Sequence, residues 1–207
     1  SGGYPDSGAS VRPPEGCLSA SGGGRFAVAL LSDVRAGAEL TDPVVLLGTD
    51  RGAAVGAAHT RIRIGERAHV FLLLDHRGDA KLAENTEITV APGATATIVS
   101  IEDWAPTAIH GGAVFMSLAE GATLHQVQVS LGGDFIRINP TAVFRGPGGT
   151  LNLDGVYFVD AGQHIEHQVY VAHAVPDCHS RVTYKGALQG PDRRAAGTGT
   201  PLTRAHA

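Results

Sequence analysis

The chain has 207 residues, enough to bury one sizeable core, and its 16 Lys+Arg against 20 Asp+Glu give a net charge of −4. That balance excludes the basic footprint of a nucleic-acid or membrane-surface binder. No apolar run reaches the roughly 20 residues of a membrane helix. No charged and then apolar leader is visible, and Cys17 and Cys178 are too few for a disulfide framework, so a cytoplasmic protein is expected.

Residues 1–24 are rich in Gly, Ser and Pro and read as a flexible leader. From Arg25 short apolar runs begin, as in "FAVALL" and "PVVLLG". Between about 60 and 190 the texture is uniform, with brief runs of Val, Ile, Thr, Leu and Phe punctuated by Gly, Pro and Asp. "TLHQVQVSL" sets His125, Val127, Val129 and Leu131 on one side and Leu124, Gln126, Gln128 and Ser130 on the other, the period of two of a strand. The segment 191–207, "PDRRAAGTGTPLTRAHA", lacks alternation and reads as a flexible or non-homologous tail.

Four segments share an apolar strand end, a small turn with glycine and a new strand: "IRIGERAHV", "TVAPGATATI", "SLAEGATLHQV" and "FRGPGGTLNL". Their glycines, Gly65, Gly93, Gly121 and Gly148, lie 28, 28 and 27 residues apart, and Gly162 follows half a period later. A fixed period with strands and no helices predicts a solenoid, because propeller blades need longer repeats. The fold expected for residues 25–190 is therefore all-β, a right-handed parallel β-helix of about 28 residues per repeat. Each coil has an apolar edge that only the next coil covers.

Catalytic motifs are mostly missing. There is no Gly-Lys dipeptide and hence no Walker-type phosphate cradle, and G-x-S-x-G, H-E-x-x-H and C-x-x-C are also absent. In "GQHIEHQVYVAHAVPDCHSRVTYKGALQG", His164 and His167 should point to opposite faces of a strand. His167 and His173 share a face but stand roughly 20 Å apart. One 28-residue step back from His164, His167 and His179 lands on Ile136, Asn139 and Leu151, none of them a ligand. Only His173, Cys178 and His179 could converge on a metal, and satisfied or solvent-facing histidines are the expectation. Glu102 and Asp103 should diverge on a strand, and Asp75, Asp134, Asp154 and Asp160 read as turn caps. A carboxylate pair for polysaccharide cleavage is thus weakly supported, and Trp104 reads as a wedge at a coil corner.

The segment 162–190, with a His-containing strand, "H-x-x-P" and "S-x-x-x-Y-K-G", resembles the SufB/SufD core domain. The stretches "LDHRGDAKLAENTEITVAPGATATIVSIEDWAPTAIH" and "LGGDFIRINPTAVFRGPGGTLNLDGVYFVDAGQHIEH" are similar to the SufD branch in its actinobacterial form, and the likeness runs from about Val44 to Gly190. The resemblance implies a β-helical, non-catalytic scaffold subunit of the SUF iron–sulfur cluster assembly machinery. It also implies pairing with a SufB paralogue and a SufC ATPase, with a transient cluster held only together with SufB. His173, Pro176, Tyr184, Lys185 and Gly186 carry the family signature, with a structural role expected. No catalytic, cofactor-binding or metal-ligating residue is assigned. The family's downstream Cys/His segment and its helical regions have no counterpart here, so a truncated form is expected. Two other readings are kept: a carbohydrate-active β-helix enzyme, and an autonomous metal-binding protein using His173, Cys178 and His179.

Overall fold

A computed structural model of the chain describes residues 17–21, 28–40, 42, 44–190 and 194–202. These hold twelve strands: β1 (Cys17–Ser21), β2 (Val28–Val34), β3 (Val44–Ile64), β4 (His69–Val90), β5 (Thr95–Trp104), β6 (Ile109–Leu118), β7 (Thr123–Ser130), β8 (Phe135–Phe144), β9 (Thr150–Val159), β10 (His164–Ala172), β11 (His179–Leu188) and β12 (Arg194–Leu202). Apart from the antiparallel β1–β2 pair, every ladder is parallel. The first half of β4 is followed on one face by β5, β7, β9 and β11, and its second half on the other face by β6, β8, β10 and β12. The result is a β-solenoid of about five turns. The segments 1–24 and 191–207 contain β1 and β12. The rest of the leader and tail lies outside the described residues.

The repeat averages the expected 28 residues but is not constant. Ala96 stacks on Val70, Leu124 on Ala96, Leu151 on Leu124 and Ser180 on Leu151, steps of 26, 28, 27 and 29. Gly65 is not in the glycine column, because Ile64 pairs with Val90 and the residue opposite Gly93 is therefore Arg67. The true corner column is Gly37, Arg67, Gly93, Gly121, Gly148 and Asp177, all with positive φ. Turns stack through backbone bonds such as Gly37 N to Glu66 O, Arg67 N to Pro92 O and Gly93 N to Glu120 O. Arg67 at φ 53° carries a Cβ where glycine costs little. Arg67→Gly is accordingly expected to stabilise the chain by about 1 kcal/mol, read as a rise in the urea midpoint. Its ion pair with Glu66 is exposed and offers little to lose.

Alternating residues of each strand fill the interior, as the unbroken inward positions of β5, β7 and β8 show. One apolar cluster includes Ile62, Ile64, Leu72, Ile88, Ile98, Leu118, Leu124, Phe144 and Leu153, all at most 1 % exposed. Each such side chain stabilises by roughly 1.5–3 kcal/mol. A smaller cluster holds Trp104, Ala108, Ile136, Ile138, Val159 and Ile165. Along the strands, buried polar residues fall between the two. In β7 the alternation holds, but the polar side is the inner one: Gln126, Gln128 and Ser130 are buried, while Leu131 is 48 % exposed. The reason is local. Gln126 Nε2 donates to Ser100 Oγ at 3.0 Å, so the inner face continues a polar layer begun by the coils before it.

Candidate functional site: a buried carboxylate–imidazole quartet

That layer is centred on His76, Glu84, Glu102 and His110. Strand β4 bends around the corner at Gly78, which carries His76 on one face and Glu84 on the other, both inward. The next coil repeats the arrangement with the types exchanged, placing Glu102 on β5 and His110 on β6. The four close a ring. His76 Nε2 lies 3.0 Å from Glu84 Oε2, and His110 Nδ1 lies 2.7 Å from Glu102 Oε2. Across the coils, His76 Nδ1 is 3.5 Å from Glu102 Oε1, and His110 Nε2 is 3.5 Å from Glu84 Oε2. The two 3.5 Å contacts attract by charge but lack hydrogen-bond geometry, which leaves His76 Nδ1 and His110 Nε2 without a hydrogen bond. Thr60 Oγ1 donates to Glu84 and Trp104 Nε1 donates to Glu102.

Register explains why four such groups fit. Glu84 stands opposite Gly112, which offers no side chain, and His110 stands opposite Leu82. A Cβ on Gly112 would lie 2.8 Å from Ile138 Cδ1 and 3.5 Å from the His110 ring. The rings of His76, Trp104 and His110 pack within 5.4–5.9 Å of one another, sealing the ring towards the coil corner.

Burial alone would strip these groups of charge. It would lower the His110 imidazolium, but the Glu102 charge and hydrogen bond, with Glu84 behind them, push it up to about 10. His76 is treated in the same way, and the Glu102 charge and the Glu84 hydrogen bond raise it to about 8. Burial works to raise both carboxyls, yet the close imidazoles of His110 and His76 hold Glu84 well below the usual range. Glu102 is lowered by the charges of His110 and His76 and by bonds from His110 and Trp104. Near neutrality the quartet is therefore two carboxylates against two imidazoliums, a neutral set inside the solenoid. His167, further along the axis, behaves oppositely. Burial pushes it down to about 4 despite Glu102 and Glu166, so it is neutral, with Nε2 3.4 Å from Ser130 Oγ.

The sequence-predicted positions divide clearly. His167 is buried while His164 lies outward, and Glu102 is buried while Asp103 is exposed, as a period of two requires. Trp104 is a buried corner residue. The expected step was one residue too short: His164, His167 and His179 pair with Phe135, Ile138 and Thr150. Asp75 and Asp154 lie within strands, not turns; Asp75 accepts from Arg77, and Asp154 pairs with His125 and Arg181. His173 Nε2 sits 2.8 Å from Ser180 Oγ with its ring against Phe144, and Cys178 Sγ donates to the carbonyls of Pro176 and Gly146. Among the described residues no group of three or more His, Cys, Asp or Glu is arranged to hold a metal ion. Pro176 lies in the turn before β11 and Lys185 is exposed. Tyr184 lies over Gly155, and Gly186 lies under Tyr157.

Sequence reasoning missed the quartet because it searched for carboxylate pairs within one strand. A mirrored signal was present, His76 and Glu84 eight apart and then Glu102 and His110 eight apart in the reverse order. The carboxylates that do converge enclose a cavity of about 20 Å³, room for one water and not for a sugar.

The model of the SUF system FeS cluster assembly SufBD core domain matches residues 46–200, essentially the whole solenoid and part of the tail segment. The chain belongs to the SufBD family. An iron–sulfur cluster assembly SufBD family protein of Mycobacterium tuberculosis is 40 % identical over 189 residues, covering 88 % of this chain and 48 % of that protein. Its counterpart in Mycobacterium leprae is 42 % identical over 147 residues, covering 71 % of this chain and 37 % of that protein. The chain thus spans about half or less of the length of these SufBD relatives. Within the described residues, no helix is long and apolar enough to cross a membrane.

Proposed function

We propose that this chain acts as a SufD-like component of the SUF machinery, a non-catalytic scaffold that pairs with a SufB-type paralogue and a SufC-type ATPase. The observation that carries this reading is the family match over the solenoid. The chemistry agrees with it. The chain has no phosphate-binding loop, so ATP hydrolysis in such an assembly comes from the partner. Among the described residues the His76–Glu84–Glu102–His110 group is buried and neutralised, an arrangement suited to holding coils together and not to turning over a substrate. Residues 25–190 form the scaffold core in this reading. The iron–sulfur cluster is cargo shared with the partner, where thiolate and imidazole ligands suit it.

The test is cluster assembly in a mixture of SufB- and SufC-type proteins, an iron salt, a sulfide source and ATP, followed by visible absorption. Adding this chain is expected to raise cluster formation several-fold, while the chain alone hydrolyses no ATP. Equal cluster formation with and without it would count against the scaffold role.

A further inference from the structure

The quartet joins two coils: His76 and Glu84 belong to β4, Glu102 and His110 to β5 and β6, and two of its four contacts cross the coil boundary. Outside it, on the face of β3, β4, β6 and β8, lies an open groove of about 320 Å³ whose floor is Ala57, Ala83, Gly111, Gly112 and Ala113. The groove and the inner cavity share Glu84, Gly112 and Ala113 as walls. Gly112 contributes no side chain to this wall, in a strand whose other inward positions carry side chains such as Met116 and Leu118. The groove and the quartet are thus divided by the wall that Glu84, Gly112 and Ala113 form.

We propose that the quartet is a pH-operated latch between the coil of β4 and the coil of β5 and β6, and that water reaches it from the groove through the shared wall at Glu84, Gly112 and Ala113. The proposal is independent of the assembly role above. The titratable and charged groups on the elements around the latch can be named from every side. On β4 they are Asp75 with its partner Arg77, together with His76 and Glu84; on β5, Glu102 with Asp103 outward; on β6, His110. Thr60 on β3 and Gln128 on β7 contribute uncharged contacts, and β10 contributes neutral His167. Arg137 on β8 pairs outward with Glu166.

The sign follows from the directions of the shifts. Both imidazoliums titrate higher in the closed latch than the ordinary 6.5, at about 8 and about 10. Their stabilisation is complete below 6.5 and is lost as pH rises through those values. The depressed carboxyls add stabilisation that is present above 4.5 and lost only in acid. Above pH 8 the interior keeps two carboxylates against one imidazolium, and the boundary opens to admit water.

Hydrogen exchange of the full chain from pH 6.5 to 9, corrected for the intrinsic pH dependence of exchange, tests this. Peptides within 69–118 are expected to exchange faster by at least about tenfold per pH unit, while peptides within 123–159 change less. The double variant His76→Gln with Glu84→Gln, which keeps the interior neutral and leaves only His110 to titrate, is expected to make the rise shallower. A flat profile over 69–118, or an equal rise in both regions of the native chain, would overturn the latch. That comparison needs no variant to fold.

Discussion

His110→Leu is expected to cost about 3–5 kcal/mol of stability at pH 7, because it strands Glu84 and Glu102 in the interior with one counter-charge. The magnitude rests on burial: His110 is 1 % and Glu102 2 % exposed, so water cannot take over the charge. Breaking a buried pair from one side is much more damaging than removing it entirely. Glu102→Met combined with His110→Leu is therefore expected to recover part of the loss, leaving His76 and Glu84 as a neutral pair and Trp104 Nε1 without its acceptor. The urea midpoint measures both. Trp104 is the single tryptophan and touches the quartet, so its emission reports whether the site itself is disturbed. A single variant as stable as the native chain would mean that the four groups are not charged in the fold.

The second large effect is expected at Gly155. Tyr184 of β11 pairs with Gly155 of β9, and two residues on Gly186 pairs with Tyr157, so each tyrosine lies over the other strand's glycine. A Cβ on Gly155 would lie 2.2 Å from the Tyr184 ring, and one on Gly186 would lie 2.1 Å from Tyr157. These contacts are with ring carbons packed around His167, so a new side chain at Gly155 must push a ring aside. Gly155→Val should displace Tyr184 and cost about 1–3 kcal/mol or more. Burial, helped by Asp154, pushes the Tyr184 hydroxyl up to about 12, and displacement should return it towards 10. Ultraviolet titration of the tyrosines follows that change. An unchanged titration in a folded Gly155→Val chain would contradict the packing. This reciprocal arrangement stacks Tyr184 and Gly186 of β11 directly on Gly155 and Tyr157 of β9.

The architecture was legible because a β-solenoid writes itself into sequence twice, in strand alternation and in corner glycines. Gly93, Gly121 and Gly148 sit at equivalent left-handed corners and alone define the period. Arg67 broke the pattern because a corner can hold a non-glycine residue at a cost, so Gly65 was matched in its place. The quartet was harder to see for a different reason. Burial of a Glu or His is unfavourable in isolation, and only a register in which four of them meet removes the penalty. That register depends on a step of 26 from β4 to β5 and of 28 from β4 to β6, which no single period predicts. In β7 the same effect reversed the ordinary expectation. Val127 and Val129 face outward because the interior beside Ser100 and Glu102 was already polar.

The most direct test of the assembly role is native mass spectrometry of this chain co-expressed with SufB- and SufC-type proteins and purified through a tag on this chain. The account predicts a discrete species containing this chain and the SufB-type protein in fixed proportion, with the SufC-type protein attached or exchangeable. A chain shown by circular dichroism to be folded, yet recovered only at its own mass, would contradict it.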